Sequence, residues 1–359
     1  MAAEADPILR PAAPSARRGA ARPPLRRGRT YGALDLGTNN CRLLIARPAG
    51  EGDGESFVVV DAFSRVVKLG EGLLNSGRLS DAAMDRTLAA LAACADKLAR
   101  RDVRLTRNVA TEACRRAANG ARFVERVYAE TGIALDVISA AEEARLAVLG
   151  CHTLIAPGGA PALVFDIGGG SSELMLVEPV TLAGAEPRIL EWVSLPWGVV
   201  SLAETEPAAL AEAERGPAYA RMLARVAPEL DAFAARLAAR GVGAVQLLGT
   251  SGTITTLASV EMGLRGYDRR QVDGCAVEVA PLLTLCREIA GQSVDERARI
   301  ACIGPDRAEL IVAGCAILDS ILARWSDGAP GEMVRVADRG IREGILRMLM
   351  GRDGVWTAP

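Results

Sequence analysis

Two short acidic turns carry chemistry that a plain chain reversal does not need. Asp35-Leu36-Gly37-Thr38-Asn39-Asn40 interrupts the apolar runs of ALDLGTNNCRLLIA (33–46), and Asp166-Ile167-Gly168-Gly169-Gly170-Ser171 does the same within PALVFDIGGGSSELMLVE (161–178). A turn requires only a residue or two suited to positive φ, which glycine and asparagine supply. The carboxylate and hydroxyl are surplus to that. Glycine lets the main chain approach an anion closely, successive amides can surround phosphate, and a neighbouring carboxylate can hold a divalent cation. Aligning Asp35 with Asp166 places Gly37 on Gly168 and Asn40 on Ser171. The same device occurs twice, which predicts an internal duplication with a phosphate and metal site between two lobes. A third glycine-rich junction, AVQLLGTSGTITTLASV (244–260), follows a predicted strand and opens a helix whose free amides can receive an anion.

The elements that must position these turns alternate. Strands are predicted at about 31–36 and 41–47, continued by SFVVVDAFSRVVKL (56–69), and a helix capped by Ser80 runs to Arg101. VRLTRNVAT (103–111) reads as a strand, RFVERVYAETG (122–132) as a helix stopped by Gly132, and IALDVIS (133–139) as a strand. A second unit starts near Cys151; close to its end DRAELIVAGCAILDSILARW (306–325) reads as a helix, EMVRVA (332–337) as a strand and IREGILRMLM (341–350) as a helix. Alternating sheet and helix predicts a layered α/β architecture.

Composition narrows the function. Half of the 359 residues are apolar and the net charge is −2, so the chain has ample core and no general attraction to nucleic acid or anionic membrane. Eight cysteines lie mostly in apolar segments without a C-x-x-C pair, as expected of reduced thiols in a cytoplasmic protein. Cys41 and Arg47 have the C-x5-R spacing of cysteine phosphatases, but the residues between them read as a strand rather than a phosphate-binding turn. His152 is the only histidine, which rules out multi-histidine metal centres and leaves acid–base work to carboxylates. No apolar run approaches the ~20 residues of a membrane helix, and no G-x4-G-K-[ST] loop occurs. Residues 1–29, rich in Ala, Pro and Arg, read as a disordered basic tail.

The segments ALDLGTNNCRLLIA, VATEACRRAANG, ISAAEEARLA, VFDIGGGSSELMLV, LLGTSGTITTLASV and DRAELIVAGCAIL, in this order, resemble the exopolyphosphatase and guanosine pentaphosphate phosphatase family of the actin and sugar-kinase superfamily. The resemblance spans Tyr31 to about Leu349. It implies two ribonuclease-H-like (actin-like ATPase) domains, I at 30–149 and II at 150–337, with the active site in the cleft between them. It also implies a helix at 338–350 packing back on domain I, followed by a tail at 351–359. Longer relatives add a histidine-containing helical domain, so this chain resembles the short, two-domain form. A homodimer is plausible by the same resemblance.

The implied activity is phosphoanhydride hydrolysis, which needs neutralised phosphate oxygens and an oriented water but no protein nucleophile. Amides of Gly37, Thr38, Asn39 and Asn40 and of Gly168, Gly169, Gly170 and Ser171 would cradle phosphates. Asp35 and Asp166, with Glu173 nearby, would hold Mg2+. Ser139 to Glu142 matches a capping box, which accounts for Glu142 by helix initiation; Glu143, about 100° further round the helix, has no such task and is the better base. The family resemblance agrees, since the glutamate before ARL matches its proposed water-activating residue. It also implies Arg115, with Arg116 as the adjacent alternative, as the phosphate-gripping arginine after VAT. Lys68 and Arg65 are candidates for the mouth of the site. Gly249, Ser251, Gly252 and Thr253 sit where superfamily kinases hold nucleotide, and here would meet a polyphosphate chain or a guanosine. The expected substrate is inorganic polyphosphate, with guanosine pentaphosphate as the close alternative. A sugar or acid kinase is disfavoured by EEARL and VATEACRRA, and a non-catalytic polyphosphate or alarmone sensor by the retained Glu143, Asp35 and Asp166.

Overall fold

The structure is a computed structural model, described here for residues 29–49, 57–103, 105–178, 186–207, 210–326 and 328–353. The predicted N-terminal tail and the end of the C-terminal one lie outside these residues. The first sheet contains β1 (Tyr31–Leu36), β2 (Asn40–Pro48), β3 (Phe57–Val66), β4 (Leu105–Ala110) and β5 (Asp136–Val137), in the order β3-β2-β1-β4-β5. β2 runs antiparallel to its neighbours β1 and β3, whereas β4 and β5 run parallel to β1. That order defines a ribonuclease-H-like lobe. The second sheet contains β6 (Ala162–Ile167), β7 (Ser172–Val177), β8 (Ile189–Leu195), β9 (Gln246–Thr250), β10 (Ala276–Glu278) and β11 (Met333–Ala337), in the order β10-β11-β9-β6-β7-β8. Read from β8 inward it repeats the first: β6, β7, β8, β9 and β11 take the places of β1 to β5, and β10 adds an antiparallel edge.

Buried strands explain the long apolar runs. β1 and β6 are covered on both faces, so Tyr31, Leu34, Leu163 and Phe165 are fully buried. The helix Asp81–Arg100 is capped as expected, with Ser80 Oγ accepting from Ala83 N, and the helix Gly120–Thr131 ends at Gly132 in the left-handed conformation. Two expectations shorten. Of IALDVIS only Asp136 and Val137 form a strand, because β4 offers pairing partners only at Val109 and Ala110. The helix expected from Asp306 starts at Ile311, after a run of turns.

Two helices lie between the sheets. Ala140–Cys151 turns Ala144, Ala147 and Val148 to the second sheet and Leu146 to the first. The terminal helix Ile341–Arg352 buries Ile345, Leu346 and Met350 against Tyr31, Ala33, Leu44 and Val109 of the first sheet. They cross where neither side has room for a side chain: a Cβ on Gly344 would come within 2.1 Å of Leu146 O. Tyr31 Oη donates to Asp353 at 2.8 Å and ties down the chain after this helix. Among the described residues no helix is long and apolar enough to cross a membrane.

Candidate active site

The two acidic turns meet in one cleft. Asp35, Gly37 to Asn40, Asp166, Gly168 to Ser171 and Glu143 all line it, and a Cβ on Gly169 would come within 2.9 Å of Thr38 Cβ. Each turn is closed by its first glycine, Gly37 N donating to Asn40 O (2.9 Å) and Gly168 N to Ser171 O (3.0 Å). Those two amides are therefore consumed, a correction to the cradle expected from the sequence. The carbonyls that follow are tied back. Thr38 O accepts from Gly70 N, Asn39 O from Val67 N and Lys68 N, Gly168 O from Val199 N, and Gly169 O from Val200 N. With their carbonyls engaged, the amides of Thr38, Asn39, Gly169 and Gly170 donate to no protein acceptor among the described residues. Free amides on a rigid turn form an anion-binding concavity.

A residue that the sequence reading passed over holds the second turn. Gly198 precedes the helix Val199–Ala203, and a Cβ there would come within 2.4 Å of Gly169 C and 2.6 Å of Gly170 N. Both obstructing atoms are backbone, so the turn itself would have to move. Gly198→Ala is expected to lower kcat/KM for the reaction of this cleft about 10²-fold, the scale of a misplacement near 1 Å. Steady-state kinetics on a variant with unchanged circular dichroism checks this.

The hairpins differ at one position. Asp166 on β6 pairs in register with Glu173 on β7, but Asp35 on β1 pairs with Arg42 on β2. Glu173 is 2% exposed and accepts from Ser194 Oγ at 2.7 Å, so it lies behind Asp166 instead of lining the cleft. Arg42 does line it, with no hydrogen-bond or ion-pair partner among the described residues. Burial foremost, then the charge of Arg342, lowers the Arg42 pKa. The loop before the last helix and that helix's first turn bring Asp338, Arg339, Arg342 and Glu343 to the same cleft.

Glu143 is 8% exposed at the start of the helix Ala140–Cys151. Its Oε2 accepts from Arg115 Nη1 and Nη2, each at 3.2 Å, while Arg115 also donates to Glu112 Oε2 (2.7 Å) and Ile138 O (2.6 Å). Arg115 thus stands behind two cleft carboxylates instead of on the wall. Burial, then the charges of Glu173, Asp166 and Asp35, raise the Glu143 pKa well above the ordinary value despite Arg115. Burial, then the charge of Glu343, raises Asp35; burial and the charge of Asp35 bring Asp166 to about 6, and burial and the charge of Asp166 bring Glu173 to about 7. Glu142 is structural as expected, by a different contact: Ser139 Oγ accepts from Glu142 N, but the Glu142 carboxylate pairs with Arg107 and Arg145 instead of closing a capping box.

The third junction divides. Thr250 and Ser251 line the cleft, and Ser251 holds φ 82 with its Oγ on Ile167 O. Gly249 does not; a Cβ there would meet the Phe165 ring at 2.5 Å, so its glycine serves sheet packing. Gly252 sits against the Arg42 guanidinium, and Thr253 is buried against Gly314. Lys68 lies beyond the cleft near Glu309. His152 is buried as a helix cap residue, Nδ1 to Leu149 O at 3.0 Å, its pKa lowered to about 4. All eight cysteines are free, and Cys41 lies in β2 as the sequence implied.

A magnesium site can be tested on the donor chemistry. The cleft gathers carboxylate oxygens with no sulfur or imidazole, and their mutual repulsion calls for a cation. Yet among the described residues no three acidic, histidine or cysteine side chains converge as a ready-made metal cage. This fits an ion that keeps several waters and takes one or two carboxylates, the usual habit of Mg2+.

Known proteins resemble this chain along most of its length. The model of the Ppx/GppA phosphatase family matches residues 49–353. Exopolyphosphatase 2 of Mycobacterium tuberculosis is 32% identical over 329 residues, covering 89% of this chain and 98% of its own. The crystal structure of the Aquifex aeolicus Ppx/GppA family member superposes with a TM-score of 0.69 at 27% identity, over 90% of this chain and 98% of that one. An exopolyphosphatase from Cytophaga hutchinsonii shares the fold, with a TM-score of 0.75 at 23% identity, over 92% of this chain and all of that one. Two ribonuclease-H-like lobes closing paired acid–glycine turns around one cleft, together with these matches, establish that the chain belongs to the Ppx/GppA phosphatase family of phosphoanhydride hydrolases.

Proposed function

We propose that the protein releases terminal orthophosphate from inorganic polyphosphate in a Mg2+-dependent reaction with a glutamate-activated water. The observation that carries this reading is the pair of tied-back turns, whose free amides face one cleft beside the buried Glu143. Amides of Thr38, Asn39, Gly169 and Gly170 grip the terminal phosphate, with side-chain help from Thr38, whose buried Oγ1 has no protein partner. Glu143, with its raised proton affinity, takes the proton of the attacking water. Arg115 holds that carboxylate in place, and Arg42 offers an unpaired guanidinium to the phosphates of the leaving chain. Asp35 and Asp166, backed by Glu173, would hold Mg2+, which when bound supplies charge neutralisation to the phosphate oxygens.

Side-by-side assays with long polyphosphate, tripolyphosphate, guanosine pentaphosphate, and ATP plus sugar test the reading. Orthophosphate release is expected from the inorganic chains. Preferential turnover of guanosine pentaphosphate would move the assignment to the nucleotide phosphatase branch. Transfer from ATP to a sugar, or tight binding without turnover, would overturn it in favour of a kinase or a sensor.

A further inference from the structure

A second cavity of about 450 Å³ adjoins the active cleft, and Asn39 is common to both walls. It is lined by Arg297, 6% exposed, on the short helix Val294–Arg299. The guanidinium makes no ion pair or hydrogen bond with any described residue, and its Nε is buried without a partner. Burial, and the charge of Arg215 close by, lower its pKa. An unpaired buried cation is strongly unfavourable until an anion reaches it. Several acids that could pair with it are already engaged: Glu71 with Arg86 (2.8 Å), Glu206 with Arg221 (2.7 Å) and Glu309 with Lys68 (3.9 Å).

Two acceptors that also line the cavity complete the pattern. Glu204 accepts from Gly72 N through Oε1 (2.6 Å), but its Oε2 is buried without a donor, as is Gln292 Oε1. The cavity therefore offers a cation in want of an anion, and acceptors in want of donors. Sulfate and the inner phosphates of a chain carry no proton near neutral pH. Orthophosphate carries both charged oxygens and a P–OH donor. We propose that this cavity is a binding site for orthophosphate, with Arg297 receiving its charged oxygens and Glu204 and Gln292 accepting from its hydroxyl. The inference rests on the hydrolase reading, because that reaction releases this anion in the adjoining cleft.

Calorimetric titration of the full chain with sodium phosphate at neutral pH is expected to give two sites, one of them not filled by sulfate. Arg297→Met should remove that site, and Gln292→Leu should weaken it about tenfold, the worth of a hydrogen bond to a charged group. Arg297→Lys, which keeps the charge if the Met variant fails to fold, should retain part of the affinity. Phosphate inhibition of polyphosphate hydrolysis should carry a non-competitive component that Arg297→Met loses, with kcat and KM at low phosphate unchanged. A single phosphate site, sulfate occupying the second site equally, or Arg297→Met raising KM for long polyphosphate or a nucleoside polyphosphate would overturn the proposal. Two-site binding in a chain that hydrolyses none of these substrates would instead sink the hydrolase reading and leave the cavity site standing.

Discussion

Glu143→Gln is expected to lower kcat for orthophosphate release about 10³-fold, within the range removed with a general base, and to leave KM nearly unchanged. The amide keeps the shape of the side chain but cannot take a proton. The turn amides that would bind phosphate belong to other segments, so binding should survive. The substitution also removes one charge from a buried cluster in which Glu143, Glu173, Asp166 and Asp35 repel one another. The variant should accordingly melt no lower than the parent, which separates lost chemistry from lost structure. Arg115 keeps its contacts with Glu112 and Ile138 O in that variant. Unchanged turnover would take the base role away from Glu143.

The second large effect concerns Mg2+. Chelation is expected to suppress turnover about 10³-fold, since several kcal/mol of charge stabilisation is withdrawn. A measurement independent of turnover is the melting temperature against pH. Asp166 titrates at about 6 and Glu173 at about 7 in the fold, against about 4 in an unfolded chain. Between those values the folded chain binds more protons than the unfolded one, so stability falls as pH rises. Below about 4 both states are protonated, and above about 7 both are ionised and the loss is complete. The metal-free protein should melt several degrees lower at pH 8 than at pH 5, and added Mg2+ should restore more at pH 8 than at pH 5. Full turnover in chelator, or a pH slope that Mg2+ leaves untouched, would remove the metal from the mechanism.

The same residues divide what could be read in one dimension from what could not. The paired turns at Asp35 and Asp166, the Ser80 and Ser139 caps, the Gly132 stop and the order of the main elements were legible because each depends on near neighbours in the chain. Glu143 was separable from Glu142 by helical geometry, although the partner that holds it, Arg115, required family resemblance. Gly249 looked like a phosphate glycine and proved to be a packing glycine, since only the Phe165 ring across the sheet reveals the difference. Gly37 and Gly168 looked like phosphate donors, yet their amides close the turns. Arg42 read as an ordinary strand residue until register set it opposite Asp35 in the cleft. Gly198, Arg297 and the Arg339 to Glu343 segment carried no local signal.

The sequence by itself determined that two acid–glycine turns would end two sheets, because turn chemistry and strand periodicity are properties of a few consecutive residues. Only the tertiary structure decided which amides remain free, which charges stay unpaired and which glycines yield space. Those depend on atoms brought together from distant parts of the chain when the lobes close, and neither hydrogen-bond satisfaction nor burial is defined before that happens.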